Sequence, residues 1–179
     1  MQENQASLTA IMTAFMRAWH AENDTPLIFN DFLANKLIPE ENRTLIEQGF
    51  ANAVKQSSAN LLLSPADGDA LIRAMLGPMG LPDVVARARY AEDILLSTLD
   101  NEIRQYVILG AGLDTFALRH AELTEQMQIF EIDHPATQAF KSQRLKDIGQ
   151  TIPANLHFIP IDFTKQNIEN ALTDTSYNN

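Results

Sequence analysis

The chain has 179 residues, no cysteine and a net charge of −10, with 45% hydrophobic and 20% charged residues. That length fits one domain with a sizeable core, and the composition is that of an ordinary globular protein. The negative balance argues against a nucleic-acid partner, while the lack of cysteine excludes a disulfide framework or thiolate metal site and fits a cytoplasmic setting.

The opening residues Met1-Gln2-Glu3-Asn4-Gln5 are polar without positive charge, unlike a signal peptide. No apolar run further on approaches the roughly 20 residues of a membrane span. Leu8, Ile11, Met12, Phe15 and Trp19 recur at three- and four-residue steps, the mark of one helix face. A polar break follows over 22–26. Asn30 or Asp31 can cap a short helix ending near Leu37. Pro39-Glu40-Glu41 starts another, with Leu45, Ile46, Phe50 and Val54 on its apolar side. Ser64-Pro65 opens a helix carrying Leu71, Ile72, Met75 and Leu76, closed by Gly77-Pro78. Leu81-Pro82-Asp83 begins a longer one to about Leu99.

The pattern changes near Gln105. Residues 106–109 form a continuous apolar run, as in a strand covered on both faces. A short helix over 114–121, a strand over 127–132 and a helix over 135–148 follow. A third strand over 156–161 and a last helix over 164–172 complete the series. Strand–helix alternation predicts a parallel sheet with crossover helices. The chain therefore divides into a helical part, 1–104, and a parallel α/β part, 105–179; the resemblance described below implies that the first is a cap over the site and the second the first half of a Rossmann-like cofactor-binding domain.

The chemistry gathers at the strand ends. Gly110-Ala111-Gly112 makes a turn where a ligand can approach the backbone beside free helix N–H groups. The alternative is a tight turn without a ligand. Thr115 stands where a dinucleotide fingerprint wants a third glycine, which weakens an NAD or FAD reading. Glu131 and Asp133 end the second strand about 20 residues on, where a carboxylate can accept both hydroxyls of a ribose. Two carboxylates on one face are costly to bury without partners. Asp133, at the terminus, is the better placed; a salt bridge or helix cap is the alternative for Glu131. Asp162 and Phe163 follow the third strand and could take the amino group and ring of adenine. The competing reading is an N-cap by Asp162 or Thr164 with Phe163 in the core.

Arg87 and Arg89 each offer a fork suited to a carboxylate group, and ion pairing with Glu92 or Asp93 is the alternative for both; the resemblance given below implies Arg87, with Arg89 a second-rank candidate. The four histidines have no metal-ligand spacing. Asp114 either caps its helix or places charge near a bound cation.

Four segments in combination resemble the leucine carboxyl methyltransferase family. They are Ala86-Arg87-Ala88-Arg89-Tyr90-Ala91-Glu92-Asp93, Gly110-Ala111-Gly112-Leu113-Asp114-Thr115, Phe130-Glu131-Ile132-Asp133-His134-Pro135-Ala136-Thr137-Gln138 and Pro160-Ile161-Asp162-Phe163. The stretch Glu22-Asn23-Asp24-Thr25-Pro26-Leu27-Ile28-Phe29-Asn30-Asp31 is similar to the bacterial branch of S-adenosylmethionine-dependent O-methyltransferases. The resemblance runs from about residue 10 to 172.

The resemblance implies an α/β, Rossmann-like class I methyltransferase fold with extra N-terminal helices over the site, here incomplete: those helices and the first three parallel strands. It implies S-adenosylmethionine as cofactor. Arg87 is then expected at the methionine carboxylate, Gly110, Ala111 and Gly112 along the methionine moiety, Asp133 at the ribose, and Asp162 with Phe163 around the adenine. The expected reaction is O-methyl transfer to a carboxylate or hydroxyl of a small molecule or peptide, with no metal and no base that can be assigned. Family members continue through a fourth strand and substrate-binding segments. The chain is therefore expected to be inactive alone, to self-associate through an open sheet edge, or to act as a non-catalytic nucleoside-binding or interaction module.

Overall fold

The computed structural model describes residues 6–56, 68–99, 103–124, 127–173 and 175–177. Helix α1, Leu8–Asn23, starts where the Ser7 hydroxyl accepts the Ala10 amide at 3.3 Å. It buries Ile11, Ala14, Phe15, Met16, Ala18, Trp19 and His20, while Leu8 lies out in solvent, one turn before the buried stripe begins. A short α2, Ala34–Leu37, follows the Asp31 carboxylate, which accepts the Ala34 amide at 3.1 Å. Helices α3, Glu40–Gln56, α4, Gly68–Leu76, and α5, Leu81–Thr98, complete the helical part. The helix start expected at Ser64-Pro65 and the side chain of Val54 lie outside the described residues.

Strands β1, Gln105–Leu109, β2, Gln128–Asp133, and β3, Leu156–Pro160, form one parallel sheet in that order. The register pairs Ile108 with Glu131 and Glu131 with Phe158, so these three share a face. That face, with Tyr106, Ile129 and Leu156, packs on α1, α5 and the crossover helix α8, Pro135–Asp147, in the main core. The other face carries Phe130, Ile132 and Ile159, with Ile161 just beyond β3, beneath helix α9, Ile168–Thr173. Each fully buried side chain of the Phe15 or Phe130 kind stabilises the fold by about 1.5–3 kcal/mol.

Three local readings change. The helix expected over 114–121 is two short pieces, α6, Phe116–Arg119, and α7, Ala121–Thr124. His120, at φ −121° and ψ 42°, breaks the run between them. The last helix begins at Ile168 and not at Thr164. Asp162 accepts the Thr164 amide at 3.0 Å and the Thr164 hydroxyl at 2.6 Å, which winds the chain into a turn first. Finally, β1 is not covered on both sides. Its first four residues are half-buried and Leu109 is 57% exposed, because among the described residues β2 is its sole partner strand.

Candidate nucleoside cleft

A cleft of about 700 Å³ opens at the carboxyl ends of the three strands. The loop after β1 contributes Gly110, Ala111 and Gly112; the end of β2 contributes Asp133; the segment after β3 contributes Asp162 and Phe163. Arg87 enters from α5. All seven residues expected from the sequence thus line one cleft. Its size falls within the range of small-molecule sites.

The glycine loop is shaped by backbone bonds. The Gly110 and Ala111 amides both donate to the Ile132 carbonyl, at 2.8 and 3.2 Å. Gly110 and Gly112 sit at φ +67° and +56°, a region L-residues avoid. The two glycines differ in what surrounds them. A Cβ on Gly110 would stand in open space, whereas one on Gly112 would lie 3.1 Å from the Ala10 Cβ of α1. Gly112 is therefore bare so that α1 can pack against the loop, a reason the sequence reading did not contain. Gly112→Ala should lower stability by about 1–2 kcal/mol from backbone strain plus the added contact. Gly110→Ala should lose only the strain share. Urea melts of both variants check this, and equal losses would show that the contact with α1 is slack.

Asp133 turns its carboxylate inward along the loop. One oxygen accepts the Gly112 amide at 2.5 Å, the other the His134 amide at 2.6 Å. Each oxygen keeps a free lone pair for a ligand hydroxyl. His134 caps α8, its Nδ1 accepting the Ala136 amide at 3.2 Å. Glu131 takes the salt-bridge alternative: it is buried against Lys141 of α8 and does not reach the cleft. Burial pushes its carboxyl up to about 7, against the pull of the Lys141 ammonium.

Asp162 lines the cleft and holds a turn; it is not the N-cap that the alternative reading required, because the last helix begins only at Ile168. The Thr164 hydroxyl and amide, and then Lys165, bring its carboxyl down to about 2. Phe163 is 45% exposed at the cleft, not in the core. Arg89 takes the ion-pair alternative, reaching both Asp93 oxygens at 2.7 Å, and is not part of the cleft lining. For Arg87 no hydrogen-bond or ion partner is found among the described residues, so its fork is free toward the cleft. Asp114 accepts the Phe116 amide at 2.8 Å just before α6, whose N-cap is Thr115, and also lines the cleft.

Sequence reasoning missed the contribution of α1. Thr13 and Arg17 of that helix line the cleft beside Tyr106 of β1. Arg17 had a signal: a lone arginine inside a stretch of otherwise buried apolar residues. Tyr106 had none; burial, followed by the charges of Asp114, Glu92 and Glu131, pushes its hydroxyl up to about 12. No group of three or more histidine, aspartate or glutamate residues placed to hold a metal occurs among the described residues. No described helix is long and apolar enough to cross a membrane.

A parallel sheet with a glycine turn after its first strand and an acidic end on its second is shared by several nucleotide-binding folds. The sequence match narrows this. The model of the leucine carboxyl methyltransferase family matches residues 10–179. The chain belongs to that family. It is 42% identical to YktD of Bacillus subtilis (strain 168), described as a "Putative S-adenosyl-L-methionine-dependent methyltransferase", over 100% of this chain and 59% of that protein. A similarly described protein, Rv3767c of Mycobacterium tuberculosis (strain ATCC 25618 / H37Rv), is 30% identical over 86% of this chain and 46% of its own length. The chain thus spans about half the length of the curated relatives it matches.

Proposed function

We propose that this chain holds S-adenosylmethionine in the cleft and forms part of a methyltransferase that acts on an oxygen nucleophile. The observation that carries the reading is the convergence of Arg87, the 110–112 turn, Asp133, Asp162 and Phe163 on one cleft at the carboxyl edge of a parallel sheet. The donor set fits the cofactor. Arg87 offers a cation with no partner among the described residues for a carboxylate group, Asp133 has acceptor capacity for a diol, and Phe163 presents a half-exposed ring for stacking. Open space at Gly110 leaves room beside the backbone.

When bound, the cofactor supplies an already activated methyl group on a sulfonium. The chain's residues bind and orient. Arg87 holds the carboxylate end of the ligand, Asp133 its ribose and Asp162 with Phe163 its adenine, and α1 and α5 wall the cleft from water. Alignment of acceptor and methyl within about 3 Å is then the main demand. A carboxylate acceptor would need no base; a hydroxyl acceptor would need one, and no residue here is assigned that role. The acceptor we propose is a carboxylate or hydroxyl on a small molecule or peptide, in a cytoplasmic setting.

The exposed side of β1 favours a second reading for the chain on its own: a nucleoside-binding module that does not turn over. The side of β1 away from β2, its sole partner strand among the described residues, also favours self-association.

Calorimetry with S-adenosylmethionine and with NAD tests the cofactor. Binding of the first and not the second is expected, and preference for NAD would sink the reading. Arg87→Lys should weaken binding by about tenfold, because a fork becomes a point charge. A decarboxylated analogue should bind variant and wild type alike. If the variant still favours the carboxylated ligand as strongly as wild type does, Arg87 is not at the carboxylate. Methyl transfer by a monodisperse monomer in light scattering would rule out the module reading.

A further inference from the structure

Arg17 lines the cleft, yet the methyl-transfer reading leaves it without a role. Its guanidinium is nearly buried and forks in two directions. Nε donates to Asp31 Oδ2 at 2.8 Å, and Nη2 donates to the Leu113 carbonyl at 2.8 Å. Leu113 follows Gly112, whose amide is bound to Asp133. Asp31 is only 1% exposed, and its other oxygen accepts the Thr115 hydroxyl at 2.7 Å. The Thr115 oxygen in turn accepts from Arg119 Nε at 2.8 Å, and Arg119 pairs with Glu92 of α5. One buried carboxylate therefore connects α1, the glycine loop and α5, which are three walls of the same cleft.

The fork is the part that a point charge cannot replace. Two rigidly spaced N–H groups span Asp31 and a carbonyl four residues past the end of β1; a single ammonium on a flexible stem does not hold both. Without that span, the bonds that tie 110–113 to other segments among the described residues are those to the Ile132 carbonyl and the Asp133 carboxylate, both on the sheet side, while Thr115 further along still reaches Asp31. On the α1 side the loop would keep apolar contact alone, Ala10 against Gly112 and Leu113 in the main core, with no fixed polar span.

We infer that Arg17 is a positioning residue: its bridge from Asp31 to the Leu113 carbonyl holds the glycine loop at a set distance from α1 and so fixes the width of the cleft. The ligand's identity rests on the cofactor reading above; the bridge does not.

Amide hydrogen exchange on the ligand-free chain tests the inference, with S-adenosylhomocysteine as the calorimetric probe. Arg17→Lys keeps a cation for Asp31. Peptides covering 110–115 should exchange about tenfold faster while β2 stays protected, the signature of local opening. Affinity for the probe should fall by about tenfold. Arg144→Lys, the same change at an α8 arginine that donates to the Leu37 and Lys36 carbonyls, should leave loop exchange unaltered. Loop exchange equal to wild type, or a rise shared equally by the loop and β2, would overturn the positioning role. Should Arg17→Lys fail to fold, Asp31→Asn takes its place with the same expected selectivity for the loop. A wild-type chain that ignores the probe would remove the cofactor reading, and the exchange comparison would still decide the role of Arg17.

Discussion

Lys141→Met should cost about 3–5 kcal/mol of folding stability at pH 8 and much less at pH 5. The reason lies under the sheet, where Glu131 and Lys141 are buried against each other and the lysine ammonium also lies 5.5 Å over the Phe158 ring. Methionine fills the lysine's unbranched volume, so the loss is chiefly one of charge. The sign follows from the Glu131 carboxyl, which burial raises from 4.5 to about 7. In that window the folded state keeps a proton that the unfolded chain has released. Its contribution to stability is therefore fully present below about 4.5 and drains away as the pH rises to about 7. Removing Lys141 removes the attraction that limits the rise, so the window extends upward. The gap between variant and wild type should then widen above pH 7 by up to about 1.4 kcal/mol per pH unit. Urea unfolding at pH 5 and pH 8 reads this directly. Glu131→Leu combined with Lys141→Met should recover most of the loss, since an apolar pair needs no desolvation. A single variant equally destabilised at both pH values would mean that Glu131 is not held as a charge beside Lys141.

Asp133→Ala is expected to lose about 1.5–3 kcal/mol of S-adenosylmethionine binding, roughly ten- to a hundredfold, the scale of hydrogen bonds to a charged group. The geometry gives this residue two tasks. It holds the Gly112 and His134 amides, and it offers its remaining lone pairs to the cleft. Alanine removes both. Asparagine keeps one acceptor oxygen and turns a donor toward the other amide, so Asp133→Asn should fall between alanine and wild type. Calorimetric titration of the three proteins orders them. Unchanged affinity in the alanine variant would remove Asp133 from the site, and a collapse in its melting temperature would mark its role as mainly that of a loop cap.

The strands and the cleft were legible because their signals are local. An apolar run ending in Gly110-Ala111-Gly112 and another ending in Asp133 carry their own geometry: in a parallel sheet all carboxyl ends point one way, so residues after each strand must meet at one edge. What was illegible depended on contacts between distant segments. Glu131 and Asp133 have the same spacing relation in either reading, and only the position of Lys141, ten residues on across a crossover helix, separates them. Arg87 and Arg89 lie two apart on one helix; Asp93 happens to face the second and not the first.

The sequence by itself determined the order of helices and strands, the parallel sheet, the family and seven of the residues that converge on the cleft. Periodicity, turn chemistry and strand direction are properties of short windows. Only the tertiary structure decided which carboxylate faces the cleft, why Gly112 must be bare, and that Arg17 and Asp31 bind α1 to the glycine loop. It also showed β1 half-covered where the apolar run predicted full burial. Burial and pairing are set by which side chains lie across a gap in space, and Arg17 and Leu113, 96 positions apart in sequence, are brought within 2.8 Å only once the fold has closed.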